Sequence, residues 1–114
     1  MDTNDLSWQE FERTEMRVGT IIAVNDFPEA RKPAYQLTID FGEAIGVRKS
    51  SAQITKHYQK EELLNRQIIA VVNFPRKQIG KFMSECLVLG AIETEGNVVL
   101  LQPDFKIENG LRIA

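Results

Sequence analysis

Three cations, Arg76, Lys77 and Lys81, stand among two aromatics, Phe74 and Phe82, in a stretch from 73 to 90 whose first acid is Glu85. Positive side chains interleaved with aromatic rings can track a run of phosphates while the rings stack on bases. Short polar side chains such as Ser50, Ser51, Gln53, Asn73 and Ser84 can read base edges or a 2′-hydroxyl. The same stretch suits an extended polypeptide equally well. Phe27, Phe74 and Phe82 would then form an apolar floor with cations at its rim. Core packing is the plainer explanation for each of these phenylalanines, as a solvated surface is for the charges.

Catalytic chemistry finds little material. His57 is the only histidine and has no cysteine or carboxylate at metal-ligand spacing in Thr55-Lys-His-Tyr58. Cys86 is the only cysteine, so no internal disulfide is possible; Leu87 and Leu89 beside it suggest a buried strand thiol, which is unreactive. Asp40 and Glu43 could act as a carboxylate pair, but a turn between strands accounts for them. No glycine run able to cradle phosphates is present. No catalytic residue, no metal site and no cofactor is expected.

The elements that must hold these residues are mostly strands. The opening is the exception: Ser7 and Glu10 fit a capping box, and Leu6 with Phe11 fits a hydrophobic staple, over a helix at about 7–13. Trp8 and Phe11 on so short a helix need cover from the domain or from a partner. Residues 17–24 are rich in β-branched side chains and read as a first strand, with Gly19 marking a bulge or tight bend. Residues 34–41 alternate cleanly, with Tyr35, Leu37, Ile39 and Phe41 on one face. A third strand at 45–51 places Val47 inward and Arg48 and Lys49 near its end. A loop with a short helix near 60–64 follows, then strands at 67–73, 85–91 and 98–102, with 73–84 as a loop.

Three strands, an irregular connection and two more strands suit an all-β, five-stranded OB-fold barrel. The short helix within 1–15 and a C-terminal β extension at 92–114 would complete a single domain of residues 1–114. That fold binds ligands on the face of its second and third strands and on the loops 26–33 and 73–81. Arg31, Lys32, Arg48, Lys49, Arg76, Lys77 and Lys81 all fall there.

The net charge of −2 argues by itself against a nucleic-acid binder, yet the charge is unevenly spread. Residues 1–15 carry −4, 44–60 carry +4, 73–84 carry +3 and 85–114 carry −3. Local field rather than net charge guides a polyanion to a site. The lone cysteine and the acidic start, without the basic and apolar regions of a signal peptide, make the cytoplasm the default location. No apolar run approaches the ~20 residues needed to span a bilayer, so no membrane insertion is expected.

Several motifs in this order resemble the tRNA-binding OB-fold domain family. They are Arg17-Val-Gly-Thr-Ile21, Phe27-Pro-Glu-Ala30, Leu37-Thr-Ile-Asp-Phe-Gly42, and Asn73 followed by Arg76-Lys77, Gly80 and Ser84-Glu85. The likeness extends from about residue 11 to 114. It is closer to the family's free-standing CsaA branch in Lys49-Ser-Ser-Ala-Gln-Ile-Thr-Lys56, Ala70-Val-Val-Asn-Phe-Pro75 and Leu87-Val-Leu-Gly90. From the synthetase-type pattern the chain departs at Ala52, at the short Phe74-Pro75 entry and at Cys86.

That resemblance implies a homodimer whose interface involves the N-terminal helix, with Trp8 and Phe11, and the C-terminal strand region. It also implies an export-related chaperone that binds unfolded or precursor polypeptides while retaining a tRNA-type surface. A protein that binds tRNA or other structured RNA in trans for a synthetase is the alternative. The RNA-binding residues expected are Arg31, Lys32, Arg48, Lys49, Ser51, Gln53, Asn73, Arg76, Lys77, Lys81 and Ser84; the peptide-binding residues are Phe27, Phe74 and Phe82.

Overall fold

β1 (Met16–Asp26) is the strand on which the others assemble in the computed structural model, which describes residues 4–114. Its second half, from Thr20 to Asp26, pairs with β2 (Tyr35–Asp40), and its first half, from Met16 to Thr20, pairs with β4 (Gln67–Val71). β2 also pairs with β3 (Val47–Ala52), and β4 with the short β7 (Leu87–Val88). The order β3-β2-β1-β4-β7 is antiparallel throughout. Its ends meet where the Glu85 amide donates to the Lys49 carbonyl at 2.7 Å and the Ser50 hydroxyl to the Cys86 carbonyl at 2.8 Å. The result is the nearly closed five-stranded barrel of the OB-fold.

Inside lie Ile21, Leu37, Ile39, Phe41, Leu63, Ile68 and Ala70, all at most 1% exposed. β2 keeps the alternation read from sequence, with Tyr35, Leu37 and Ile39 buried. β3 has the opposite phase to the one expected. Val47 faces outward, 54% exposed, while Ser50 and Ala52 point in. With a period of two, one residue of phase exchanges every side chain between faces. Lys49 and Ser51 are thereby set on the outer face, and Arg48 on the inner one.

Gly19 is not the bulge. The register shift falls between Ile21 and Ala23. A Cβ on Gly19 would lie 2.6 Å from Ile39 Cγ2 and 2.7 Å from the Phe41 ring, so the glycine leaves room for Ile39 of β2 and for Phe41 just beyond it. Where β2 no longer covers β1, the tail does. Val18 donates to Leu111 O at 3.0 Å, Gly110 to Val18 O at 2.7 Å and Ile113 to Met16 O at 2.9 Å.

Two further readings change. Residues 73–84 contain a hairpin, β5 (Lys77–Ile79) against β6 (Phe82–Ser84), turning at Gly80 with φ +59°. The expected strand at 85–91 divides into β7 and β8 (Gly90–Ile92), the latter pairing with β9 (Val98–Leu100) outside the barrel. Gly90 allows the close approach, since a Cβ there would meet the Val99 carbonyl oxygen at 2.7 Å. Tyr58 ties this outer hairpin down. Its hydroxyl accepts from the Leu100 amide at 2.9 Å, while its carbonyl accepts from Tyr35 at 2.8 Å. The helices are short: α1 (Trp8–Glu12) carries the capping box, with Ser7 N to Glu10 Oε1 at 3.0 Å and Glu10 N to Ser7 Oγ at 3.1 Å; α2 is Lys60–Leu63.

Burial pushes the Cys86 thiol up to about 11. The unfolded thiol ionises first, near 9, while the native thiol keeps its proton. Between those values the folded state binds more protons, so stability falls as pH rises, by up to about 1.4 kcal/mol per pH unit. Alkylation by iodoacetamide at pH 8 should be slow in the native protein and fast in urea. Rapid native alkylation would show that the β3–β7 seam opens.

Candidate nucleic-acid and polypeptide interface

Three elements meet on one side of the barrel: the outer face of β3, the β5–β6 hairpin and the loop after β1. The Ser51 amide donates to Ser84 Oγ at 3.3 Å, and the Lys49 amide to Glu85 Oε1 at 3.1 Å, joining β3 to the end of the hairpin. Phe82 of β6 packs on Phe27 of the loop with ring centroids 5.2 Å apart. Glu29 lies against the hairpin turn at Gly80. The hairpin thus has a fixed seat, and Lys77 and Lys81 project from it, both exposed.

The expected cations fall into two groups. Arg31, Lys32, Lys49, Lys77 and Lys81 are exposed, and among the described residues their side chains make no ion pair or hydrogen bond. These five are free to meet an anion. Arg48 is half-buried and donates to the Val72 carbonyl, so its phase on β3 turns it into a strut at the barrel's end. Arg76 lies 3.8 Å from Glu85 Oε2. Among the described residues no cluster of three histidines, cysteines or carboxylates could hold a metal. His57 instead contacts Glu93, Nε2 to Oε1 at 2.6 Å.

The three phenylalanines do not form one floor. Phe27 is 4% exposed, an interior ring beneath the half-buried Phe82. Phe74, 53% exposed, lines a different feature: an open groove of about 430 Å³ beside α1, with Leu6, Val71 and Pro75 on its apolar part and Glu10, Arg13, Thr14 and Asn73 on its polar part. Trp8 remains 67% exposed and packs tilted against Phe11, ring centroids 5.6 Å apart, leaving an aromatic surface on α1.

Comparison with known proteins identifies the family and the fold. The family model described as "Putative tRNA binding domain" fits residues 16–112, from the start of β1 into the C-terminal segment. The chain belongs to the tRNA-binding domain family. Two solved relatives share the whole fold. The CsaA chaperone protein from Picrophilus torridus is 55% identical with a TM-score of 0.89, covering 96% of this chain and 100% of that one. Chaperone CsaA from Bacillus anthracis str. Ames is 47% identical with a TM-score of 0.90, covering 96% and 99%. A methionine–tRNA ligase of Thermococcus onnurineus is 35% identical over 108 residues, 95% of this chain. The chain spans only 14% of that ligase's length.

The family match encloses the β3–hairpin face; of the expected polar readers, Asn73 is held at the end of α1. The Asn73 side chain is engaged at both ends: Nδ2 donates to the Arg13 carbonyl at 2.6 Å and Oδ1 accepts from the Glu15 amide at 3.1 Å. It fastens the end of α1 to the end of β4. Asn73→Ala should therefore cost about 1–3 kcal/mol, with amide exchange rising first over residues 8–15. Unchanged protection there would deny it the fastening role. Gln53 is exposed just beyond β3, and Ser51 and Ser84 are half-buried in the seam. Sequence reasoning passed over Glu85 as part of the site, although its position as the first acid after the cations was the available signal.

Proposed function

We propose that this protein is a CsaA-like chaperone without catalytic activity, binding unfolded or precursor polypeptides, and that its β3–hairpin face binds tRNA or other structured RNA. One observation supports the reading: five exposed cations without ion-pair partners among the described residues stand on β3, the hairpin and the loop after β1, with an open groove at the exposed Phe74. Similarity to two CsaA chaperones, 47% and 55% identical over 96% of the chain, supports the polypeptide role. Lys49, Lys77 and Lys81, with Arg31 and Lys32, are the phosphate-contacting residues, and Phe74 is the principal apolar contact for a client chain. Its place is the cytoplasm, in the service of protein export.

The working form is a homodimer. Trp8, Phe11 and Leu6 present apolar surface at one end, and Ile92 and Phe105, 77% and 73% exposed, present more on the C-terminal segments. Surface of this kind marks association. Light scattering should give twice the 13.0 kDa of one chain at micromolar concentration; a monomer mass would overturn the dimer.

A competition assay tests the two ligand classes together. A labelled unfolded peptide bound to the protein is titrated with tRNA at low salt. Displacement means one shared surface, whereas independent binding assigns RNA to the hairpin face and peptide to the Phe74 groove. Failure to bind either ligand removes the proposal. The relation to methionine–tRNA ligase favours a second reading, delivery of tRNA to a synthetase in trans. It requires that an added synthetase be retained by the immobilised protein.

A further inference from the structure

The cationic face contains a built-in anion. Glu85 sits at the seam where β3 meets the end of the hairpin, its side chain 25% exposed against 70% for Arg76. The outer edge of β3 offers two amides, those of Lys49 and Ser51, that no neighbouring strand pairs. Glu85 Oε1 accepts from the first at 3.1 Å and Ser84 Oγ from the second at 3.3 Å. The barrel is therefore latched here by side-chain acceptors beside one backbone bond, from the Glu85 amide to the Lys49 carbonyl at 2.7 Å. A neutral hydroxyl suffices at Ser51, and a neutral amide oxygen would suffice at Lys49. What the latch does not require is the charge, and that charge faces Arg76 from the second carboxylate oxygen at 3.8 Å.

We propose that Glu85 is an internal competitor for the phosphate surface, a positioning residue that holds Arg76 in the free protein until a phosphate of the RNA displaces it. The inference rests on the RNA-binding reading above. In the free protein the exposed Arg76 guanidinium has the Glu85 carboxylate within 3.8 Å, whereas Lys77 and Lys81 have no such partner among the described residues. Incoming phosphate must take the guanidinium from a carboxylate and also approach that carboxylate's charge. Both effects weaken binding, so Glu85 keeps RNA in exchange instead of holding it tightly. The latch and the competitor are separable in Glu85→Gln, which keeps an acceptor for the Lys49 amide and removes the charge.

The test is a salt titration of tRNA binding by the full chain and its variants, with thermal unfolding followed alongside. Glu85→Gln should raise affinity about three- to fivefold at low salt, since exposed pairs of this kind are weak. Its log–log salt slope should steepen by about 0.7–0.9 as Arg76 joins the phosphate-binding set. Glu29→Gln, removing an acid beside the hairpin turn, measures the general effect of one less negative charge and should do less. In an Arg76→Gln background the gain from Glu85→Gln should shrink to that of Glu29→Gln.

Arg76→Gln alone provides an arm that does not depend on Glu85→Gln folding. It should cost less affinity than Lys77→Gln or Lys81→Gln. An equal cost, or a Glu85→Gln gain that persists without Arg76, overturns the role given to Glu85. If the native protein binds tRNA and Glu85→Gln leaves affinity unchanged, only the competitor role falls. If the native protein binds no tRNA at low salt, the RNA-binding reading falls and this inference with it.

Discussion

Neutralising Lys49, Lys77 and Lys81 together to glutamine is expected to lower tRNA affinity roughly 10²-fold at ~0.1 M salt. Each lysine that no longer neutralises a phosphate takes about 0.7–0.9 from the log–log salt slope, so three take about 2–2.7. Because electrostatic differences vanish toward 1 M, a slope change of that size is a hundredfold difference one decade lower in salt. The three lysines are exposed and make no ion pair among the described residues, so replacing them leaves no buried charge uncompensated. Stability should stay within about 0.5 kcal/mol of the native value. Fluorescence titration of tRNA at several salt concentrations measures the slope. An unchanged slope would move the RNA surface to another face. Suppression of aggregation of a denatured client in high salt should survive these replacements and fall in Phe74→Ala, because apolar association is not screened by ions.

The second large effect is on the fold. Gly19→Val is expected to destabilise the barrel by about 3 kcal/mol, and Gly19→Ala by about 1–3 kcal/mol. Two effects oppose each other. A β-branched residue suits a strand, but that preference spans only ~1 kcal/mol. Against it, the new Cβ would stand 2.6 Å from Ile39 Cγ2 and 2.7 Å from the Phe41 ring, both in a fully buried layer that cannot yield outward. Overpacking wins. Gly46, φ +85° with open space around its missing Cβ, provides the contrast. There alanine meets only the backbone penalty, about 1–2 kcal/mol. Urea unfolding midpoints measure both; a Gly19→Val protein as stable as the native one would contradict this account of barrel closure.

The barrel was legible in the sequence because its central strands announce themselves. Tyr35, Leu37 and Ile39 alternate with polar residues, 68–72 form an apolar run, and Ser7 with Glu10 marks the helix start. β3 was not legible in the same way. Its inward residues are Ser50 and Ala52, small and partly polar, while the apolar Val47 faces out, so hydrophobicity pointed to the wrong phase. The inward pair is explained only by the crossing of 85–88, where the Ser50 hydroxyl finds the Cys86 carbonyl. The hairpin at 77–84 was missed because three-residue strands carry too little period to read. At the site, composition identified the cations but not their engagement. Lys77 and Arg76 look alike in sequence; the structure separates them through Glu85. Asn73 looked like a reader of bases and is a fastener of α1, a role set by residues about sixty positions earlier in the chain. Phe27 and Phe74 were alike on paper, yet one is interior and the other lines a groove.

Mapping tRNA onto the protein by amide chemical shifts tests the central claim most directly. With isotope-labelled protein at low salt, shifts on adding tRNA should concentrate on Lys49 and Ser51 of β3, on residues 77–84 of the hairpin, and on Arg31 and Lys32. They should recede as salt is raised. Shifts confined to β8, β9 and the C-terminal segment, with the β3–hairpin face unmoved, would contradict the assignment of that face as the ligand surface.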